Sequence, residues 1–138
     1  MEAKEYLQQV RNADIAIKDK MEELADLEAL ATKLSGLSDG DKVQASSSQD
    51  KMADTVCEIA DLKAEIHGEI NSLLELKKEV REVIGKVSEP VLMSVLHKRY
   101  LQYKSWEKIA IEMGMSWRHT LRLHGKSLQE IEKILNAS

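Results

Sequence analysis

A run of aromatic and basic side chains follows Ser116 in the sequence. Within it, Trp117, Arg118, His119 and Arg122 fall on the first turns of one predicted helix. The guanidinium of an arginine presents a fork of N–H donors that matches two acceptors of guanine in the major groove of DNA. A helix that enters this groove contacts base edges with its N-terminal residues. These four residues are therefore candidates for reading duplex DNA.

Five further cations near this run are candidates for contacts to the DNA backbone. Lys and Arg side chains hold phosphates in protein–DNA interfaces and fix the register of the protein on the duplex. The candidates are Lys98, Arg99, Lys104, Lys108 and Lys126. The expected partner is duplex DNA, and no cofactor is expected.

Three short helices must position these side chains. They are predicted over about residues 89–102, 105–113 and 116–135. The last two have the spacing of a helix-turn-helix, because Gly114 can adopt the positive φ of a tight turn and Ser116 can cap the second helix. The first is expected to start with Ser88 as its cap and Pro90 in its first turn. The residues expected to face inward are Leu92, Val95 or Leu96, Tyr100, Ile109, Ala110, Met113, Met115, Thr120, Leu123, Leu128 and Ile131.

Two longer helices are predicted before this module, over about residues 3–34 and 50–87. Each repeats apolar residues at helical spacing, which is typical of a helix that packs against a partner helix. In the first helix the apolar residues are three, four or seven apart and form a packed stripe of Leu7, Val10, Ile17, Met21, Leu24, Leu27, Ala31 and Leu34. A stretch rich in Gly, Ser and Asp, about residues 35–49, separates them and favours a loop. The expected fold is therefore all-α. Its two predicted domains are a long antiparallel helical hairpin (a coiled coil) over residues 1–88 and a three-helix helix-turn-helix module over residues 89–138.

Charge is distributed unevenly between these two parts. The chain has a formal net charge of −4, yet residues 1–88 carry 12 Lys and Arg against 19 Asp and Glu. Residues 89–138 carry 8 against 5, together with three of the four histidines. The acidity therefore belongs to the hairpin. Counterion release scales with the number of phosphates neutralised, so we expect weak DNA affinity from this modestly basic module alone, increased by dimerisation or by a partner.

The sequence lacks the patterns of an enzyme or a metal site. His97, His119 and His124 have no cysteine nearby, and the last two point to different faces of a helix, so no metal ligation is expected. No Gly-rich phosphate loop or nucleophile elbow occurs, and no enzymatic activity is expected. The single Cys57 favours a reducing compartment, so we expect a cytoplasmic protein, without a membrane segment.

Five short motifs in the last third of the chain carry a family resemblance. They are Arg99-Tyr100, Ser105-Trp106-Glu107, Ile109-Ala110, Gly114-Met115-Ser116 and Ser127-Leu128. Through them, residues 92–131 resemble region 4 of the bacterial sigma factors, the module that reads the promoter −35 element. The resemblance implies base contacts at Trp117, Arg118 and Arg122. The sequence departs from the family at Trp117, where a polar residue is usual, and at Thr120, where Val or Ile is usual, and it has no sigma region 2.

The whole chain, with its hairpin and its loop around residues 41–46, is similar to small prophage proteins of Gram-positive bacteria. These are grouped as late-transcription regulators of the ArpU or RinA type. The similarity implies a phage or prophage regulator of transcription. Its partners would be DNA, RNA polymerase, and a second copy or a higher homo-oligomer joined through the hairpin.

Two alternatives stay open at this point. Phage DNA-packaging subunits of the small-terminase type also join a helix-turn-helix to a coiled coil. Their rings hold eight or so subunits by family resemblance, whereas a regulator needs one to four. The second alternative is a structural coiled-coil protein whose helical module binds only protein.

Overall fold

The computed structural model describes residues 2–37 and 45–137, and this part of the chain contains helices and no strand. Two long helices come first. They are α1 (Ala3–Leu37) and α2 (Ala45–Gly85). Three shorter helices follow, α3 (Pro90–Leu96), α4 (Trp106–Met113) and α5 (Trp117–Asn136). The predicted all-α fold, with a helical hairpin followed by shorter helices, is confirmed.

The long helices extend into the stretch that was predicted to be a loop. Helix α1 ends at Leu37 and α2 begins at Ala45, so both ends of the predicted loop at about residues 35–49 are helical. The remainder, residues 38–44, lies outside the described residues. Ser and Gln disfavour a helix by only a few tenths of a kcal/mol each, roughly, so a long helix can continue through them.

The start of α3 differs from the prediction by one residue. Ser88 is not its cap, because Glu89 takes the N-cap position, without a side-chain capping hydrogen bond. Pro90 is the first helical residue, where its fixed φ suits the helix and its missing N–H leaves no bond unmade. Helix α3 is continued by one π-helical turn, His97–Leu101.

Packing divides the helices into two compact units. The first unit comprises the chain up to Asp14 together with the chain from Leu73 onward, and the second comprises Ile15–Ser72. The first unit thus holds the three short helices, the start of α1 and the end of α2. This division follows the proximity of backbone positions. The predicted domain boundary near residue 88 instead marks where the helical pattern of the sequence changes.

The first unit has its apolar core on the short helices and on the adjoining ends of the long ones. Its buried apolar residues are Ala3, Tyr6, Leu7, Val10, Leu73, Val80, Ile84, Val87, Leu92, Val95, Leu96, Tyr100, Ile109, Ala110 and Ile131. The start of α1 is also bonded to α5, because the N–H of Ala3 donates to a carboxylate oxygen of Glu132 at 3.0 Å. The first turns of α1 therefore belong to the same packed unit as the helix-turn-helix.

The second unit is a pair of antiparallel helix segments with a thin core. Lys20 on α1 binds Glu65 on α2 at 2.7 Å and also binds Glu69. Its buried side chains are Ile17, Thr55, Leu62 and Ile66. Met21, predicted on the packed stripe of α1, is 51% exposed. Two helices bury only a narrow seam, so side chains at its margin stay accessible to solvent.

Candidate nucleic-acid interface

The turn between α4 and α5 is built on a glycine in the left-handed conformation. Gly114 has φ +63° and ψ +38°. The N–H of Met115 donates to the carbonyl of Ala110 at 2.9 Å and closes the turn. The hydroxyl oxygen of Ser116 then accepts from the N–H of His119 at 3.1 Å and caps α5. The geometry is that of the predicted helix-turn-helix, in which a sharp turn leaves the start of the second helix uncovered.

One face of α5 is packed into the first unit. Thr120, Ser127 and Ile131 are fully buried on it. Thr120 is the position where the sigma-type pattern has Val or Ile. Its hydroxyl donates to the carbonyl of Ser116 at 2.9 Å, so the polar atom is satisfied within the helix and the residue fits a buried site.

The opposite face at the start of α5 is open to solvent. Arg118 and Arg122 are exposed, His119 is half-buried, and Trp117 is 56% exposed. The side chains of Arg118, His119 and Arg122 line, with Ser116, a shallow cavity of about 180 Å³. The structure therefore places all four predicted base-reading residues at the beginning of one helix. Three of them border one cavity, and Trp117 stands beside them in sequence.

Within this group, Arg122 is tied to His119. The Nη2 atom of Arg122 lies 2.7 Å from Nδ1 of His119, one helical turn earlier. Because a guanidinium can only donate, Nδ1 must be unprotonated and accepting in this arrangement. The contact therefore restrains the orientation of the Arg122 guanidinium near the start of the helix.

Three of the five cations predicted to contact phosphates already bind other groups of the protein. Lys104 binds both carboxylate oxygens of Glu112, at 2.8 and 2.9 Å, and Lys98 lies 3.5 Å from the same carboxylate. Hydrogen bonds from Lys104 hold the pKa of Glu112 below its ordinary value. The guanidinium of Arg99 lies 4.5 Å from the centroid of the Trp106 ring and donates to the carbonyl of Lys104 at 3.0 Å.

The other two predicted phosphate contacts are available to a ligand. Lys108 and Lys126 are exposed, and neither makes an ion pair with any residue that the structure describes. Lys108 lies in the first turn of α4, the helix that crosses the DNA backbone in a helix-turn-helix. Among the nine candidate contacts, the cations open to solvent are thus Arg118, Arg122, Lys108 and Lys126.

Sequence reasoning missed Glu112 as a partner of the lysines. The spacing of Lys108 and Glu112, four apart on one helix, would have predicted an ion pair between them. The carboxylate instead binds Lys104 and Lys98, which come from the chain before α4. Only the path of the chain through the π-helical turn brings these residues together, and no periodicity encodes that path.

His124 is part of the packed interior and not of the open face. Its Nε2 lies 2.6 Å from the hydroxyl of Tyr100, and its ring centroid lies 4.4 Å from that of Trp106. Burial, followed by the positive charges of Lys4 and Arg99, lowers the pKa of His124 to about 4. Burial also raises the pKa of Tyr100 to about 12. Both groups are therefore neutral near pH 7 and share one hydrogen bond.

Along the described ranges, 2–37 and 45–137, no group of three or more His, Cys, Asp or Glu residues could hold a metal ion. Among the helices of the same ranges, none combines the length and the apolar character needed to cross a membrane.

Comparison with known proteins gives no relative for the chain. No family model, no curated protein and no solved structure matches it. The geometry of the helix-turn-helix and its charges must therefore carry the functional conclusion.

Proposed function

We propose that the chain binds duplex DNA through the start of α5 and regulates transcription in a phage or prophage. One observation carries the proposal. Trp117, Arg118 and Arg122 are exposed at the capped start of α5, while Thr120 on the same turns is fully buried against the first unit. A helix held by one face, with arginines exposed at its N-terminal end, matches the way a recognition helix enters the major groove.

The chemistry of the exposed residues supports readout of guanine. Arginine is the side chain that most often makes specific major-groove contacts, by donating two hydrogen bonds to O6 and N7 of guanine. The major groove is about 12 Å wide and admits one α-helix with its side chains. Arg118 and Arg122 are four apart and so lie on neighbouring turns of one face. Trp117 would pack its ring against a base or the sugar edge beside them.

The number of available cations sets the expected affinity. Of the candidate phosphate contacts, two cations are open to solvent, Lys108 and Lys126. If each neutralised one phosphate, log K would fall with log[salt] at a slope of about −2. Such a slope corresponds to weak binding by one module at physiological salt, and we propose that self-association strengthens it.

The second unit supports self-association. It leaves several large apolar side chains exposed on two helices that bury only a narrow seam. They are Ile15, Met21, Leu30, Val56 and Ile70. Covering such side chains with a second copy would remove apolar area from water, at about 25 cal/mol per Å². Light scattering would distinguish a regulator of one to four subunits from a packaging ring of about eight, a number that comes from the small-terminase resemblance.

Selection of bound sequences from random duplexes tests the proposal. The full chain should enrich a short motif that contains guanine, and binding to it should weaken steeply as salt is raised. Absence of any enriched motif, with equal weak binding to all duplexes, would contradict sequence-specific regulation. Absence of binding at low salt would favour the alternative in which the module binds only protein.

A further inference from the structure

Two lysines and one carboxylate meet beside the helix-turn-helix. Lys98 lies in the π-helical turn, Lys104 lies in the segment before α4, and Glu112 lies in the last turn of α4. Both oxygens of the carboxylate are within 2.9 Å of Lys104 Nζ, and one is 3.5 Å from Lys98 Nζ. The three side chains keep between 20% and 31% of their surface accessible. The cluster is thus reachable from solvent without unfolding.

The backbone holds the two lysines side by side. The N–H of Lys104 donates to the carbonyl of Lys98 at 3.0 Å, which closes the loop between them. Arg99 donates from its guanidinium to the carbonyl of Lys104, also at 3.0 Å, and fixes the other side of the same residue. The two ammonium groups are therefore brought close by main-chain geometry, not by mutual attraction.

The residue before Lys104 adds to this rigidity. Tyr103 has φ +58°, a left-handed conformation that side chains other than glycine adopt rarely and at a cost. Its ring is contacted by two cations from the long helices, with Arg11 at 5.9 Å and Lys77 at 5.8 Å from the centroid. Packing of this kind is what keeps a strained residue in place. Lys104 therefore follows a residue that packing holds in place, and Lys98 lies in the π-helical turn before it.

The ammonium groups of Lys98 and Lys104 both contact one carboxylate, and their like charges repel each other. An anion with two oxygens can bind both groups by charge-assisted hydrogen bonds and offset this repulsion. In the free protein Glu112 supplies those oxygens. A DNA phosphate offers two non-bridging oxygens with a similar spread, and the segment leading into α4 is where a helix-turn-helix meets the backbone.

We infer that Lys98 and Lys104 form a binding site for a backbone phosphate of duplex DNA, and that Glu112 occupies this site in the free protein. The inference rests on the proposed function and concerns its regulation. Glu112 acts as an internal competitor that keeps non-specific affinity low. A phosphate binds Lys98 and Lys104 only when the contacts at the start of α5 hold the DNA close to them. The phosphate then displaces the Glu112 carboxylate.

The test compares Glu112→Gln with Glu107→Gln in the full chain. Glu107 lies on the same helix, is exposed, and makes no ion pair with any described residue, so its substitution removes the same charge without opening the lysine site. Binding is measured by fluorescence anisotropy over a range of salt, with one labelled duplex that lacks the selected motif, because Glu112 is inferred to limit binding of this kind. Thermal melting followed by circular dichroism checks that both variants are folded.

Glu112→Gln should bind about eightfold tighter or more at 0.1 M salt, because one newly neutralised phosphate contributes a slope of about −0.9. Its salt slope should steepen by about 1 to 2, whereas Glu107→Gln should stay within about twofold of the unmodified chain. Equal affinity and slope for the two variants would overturn the inference.

A lysine substitution provides an independent test of the inference. On the same duplex, Lys104→Ala should weaken binding strongly in the Glu112→Gln background and only slightly in the unmodified chain, because Glu112 still holds Lys104 there. An equal loss in both backgrounds would overturn the inference. Failure of the proposed function has a different signature, since in that case the Arg118→Ala/Arg122→Ala double substitution would leave DNA binding unchanged.

Discussion

Arg122 donates to Nδ1 of His119 at 2.7 Å, across one turn of α5. Both residues were candidates for base contacts, and the structure joins them by one hydrogen bond.

We expect His119→Ala to weaken binding to a cognate duplex by about three- to tenfold. Arg122 then loses the acceptor that orients it, and such a bond contributes about 1 kcal/mol. In the Arg122→Ala background the same change should cost much less. Fluorescence anisotropy on the four proteins of this cycle measures the coupling, and purely additive effects would contradict it.

The turn at Gly114 gives a prediction about stability. Gly114→Ala should destabilise the fold by about 1–2 kcal/mol, because alanine at φ +63° places its Cβ against the following carbonyl. Gly125 is a control in the interior of α5, where an added Cβ meets no atom within 4 Å. Gly125→Ala should stabilise the helix by about 0.5–1 kcal/mol. Urea denaturation measures both, and effects of the same sign would contradict the assignment of Gly114 to the left-handed turn.

The interior histidine makes stability depend on pH. Burial lowers the pKa of His124 to about 4 from an unfolded value of 6.5, so the unfolded chain takes up the proton first as the pH falls. The stabilisation is complete above about pH 6.5 and is lost as the pH falls from there to about 4. Because the ring is only partly buried, we expect a loss of about 1–2 kcal/mol across this window.

Urea denaturation at pH 7.5 and pH 4.5 measures this loss. His124→Gln keeps a hydrogen-bonding group opposite Tyr100 but has no proton to gain. The difference in unfolding free energy between the two pH values should therefore shrink by about 1–2 kcal/mol in this variant. An unchanged difference would assign the acid sensitivity to other groups.

The start of α1 provides a test of the first unit. Leu7 is fully buried in it, whereas Leu74 in the same unit is 59% exposed. Leu7→Ala should cost about 2–5 kcal/mol, through lost burial and the cavity left behind. Leu74→Ala should cost less than about 1 kcal/mol. Equal costs would show that the N-terminal turns contribute little to the unit that contains the helix-turn-helix.

The helices and their buried faces were largely predictable from the sequence. Leu7, Val10 and Ile17 were expected on the packed stripe of α1, and all three are buried. The turn between α4 and α5 was also predictable, because Gly114 can adopt a positive φ and Ser116 can cap the following helix. These features follow from local periodicity and backbone preference, which a single sequence displays directly.

Contacts between distant segments were not predictable in the same way. The bond from Ala3 to Glu132 joins residues 129 apart, and no pattern in either segment announces it. The engagement of Lys98 by Glu112 is of the same kind. Charge type alone marks a lysine as a candidate for phosphate, but only the fold shows which carboxylate already holds it. The fold shows that Arg118 and Arg122 are exposed at the start of α5. Their contact with DNA stays a prediction.

We expect Arg118 and Arg122 to read DNA, and one titration tests this. The unmodified chain and the Arg118→Ala/Arg122→Ala double variant are titrated against a duplex chosen by selection, at one fixed salt concentration. Lys33→Ala/Lys51→Ala, which removes two positive charges from exposed positions on α1 and α2, serves as the control for net charge. We predict that each arginine contributes about 1–3 kcal/mol, so the double variant should bind at least about 25-fold more weakly while the control stays near the unmodified chain. Equal affinity of the double variant and the unmodified chain would contradict the account.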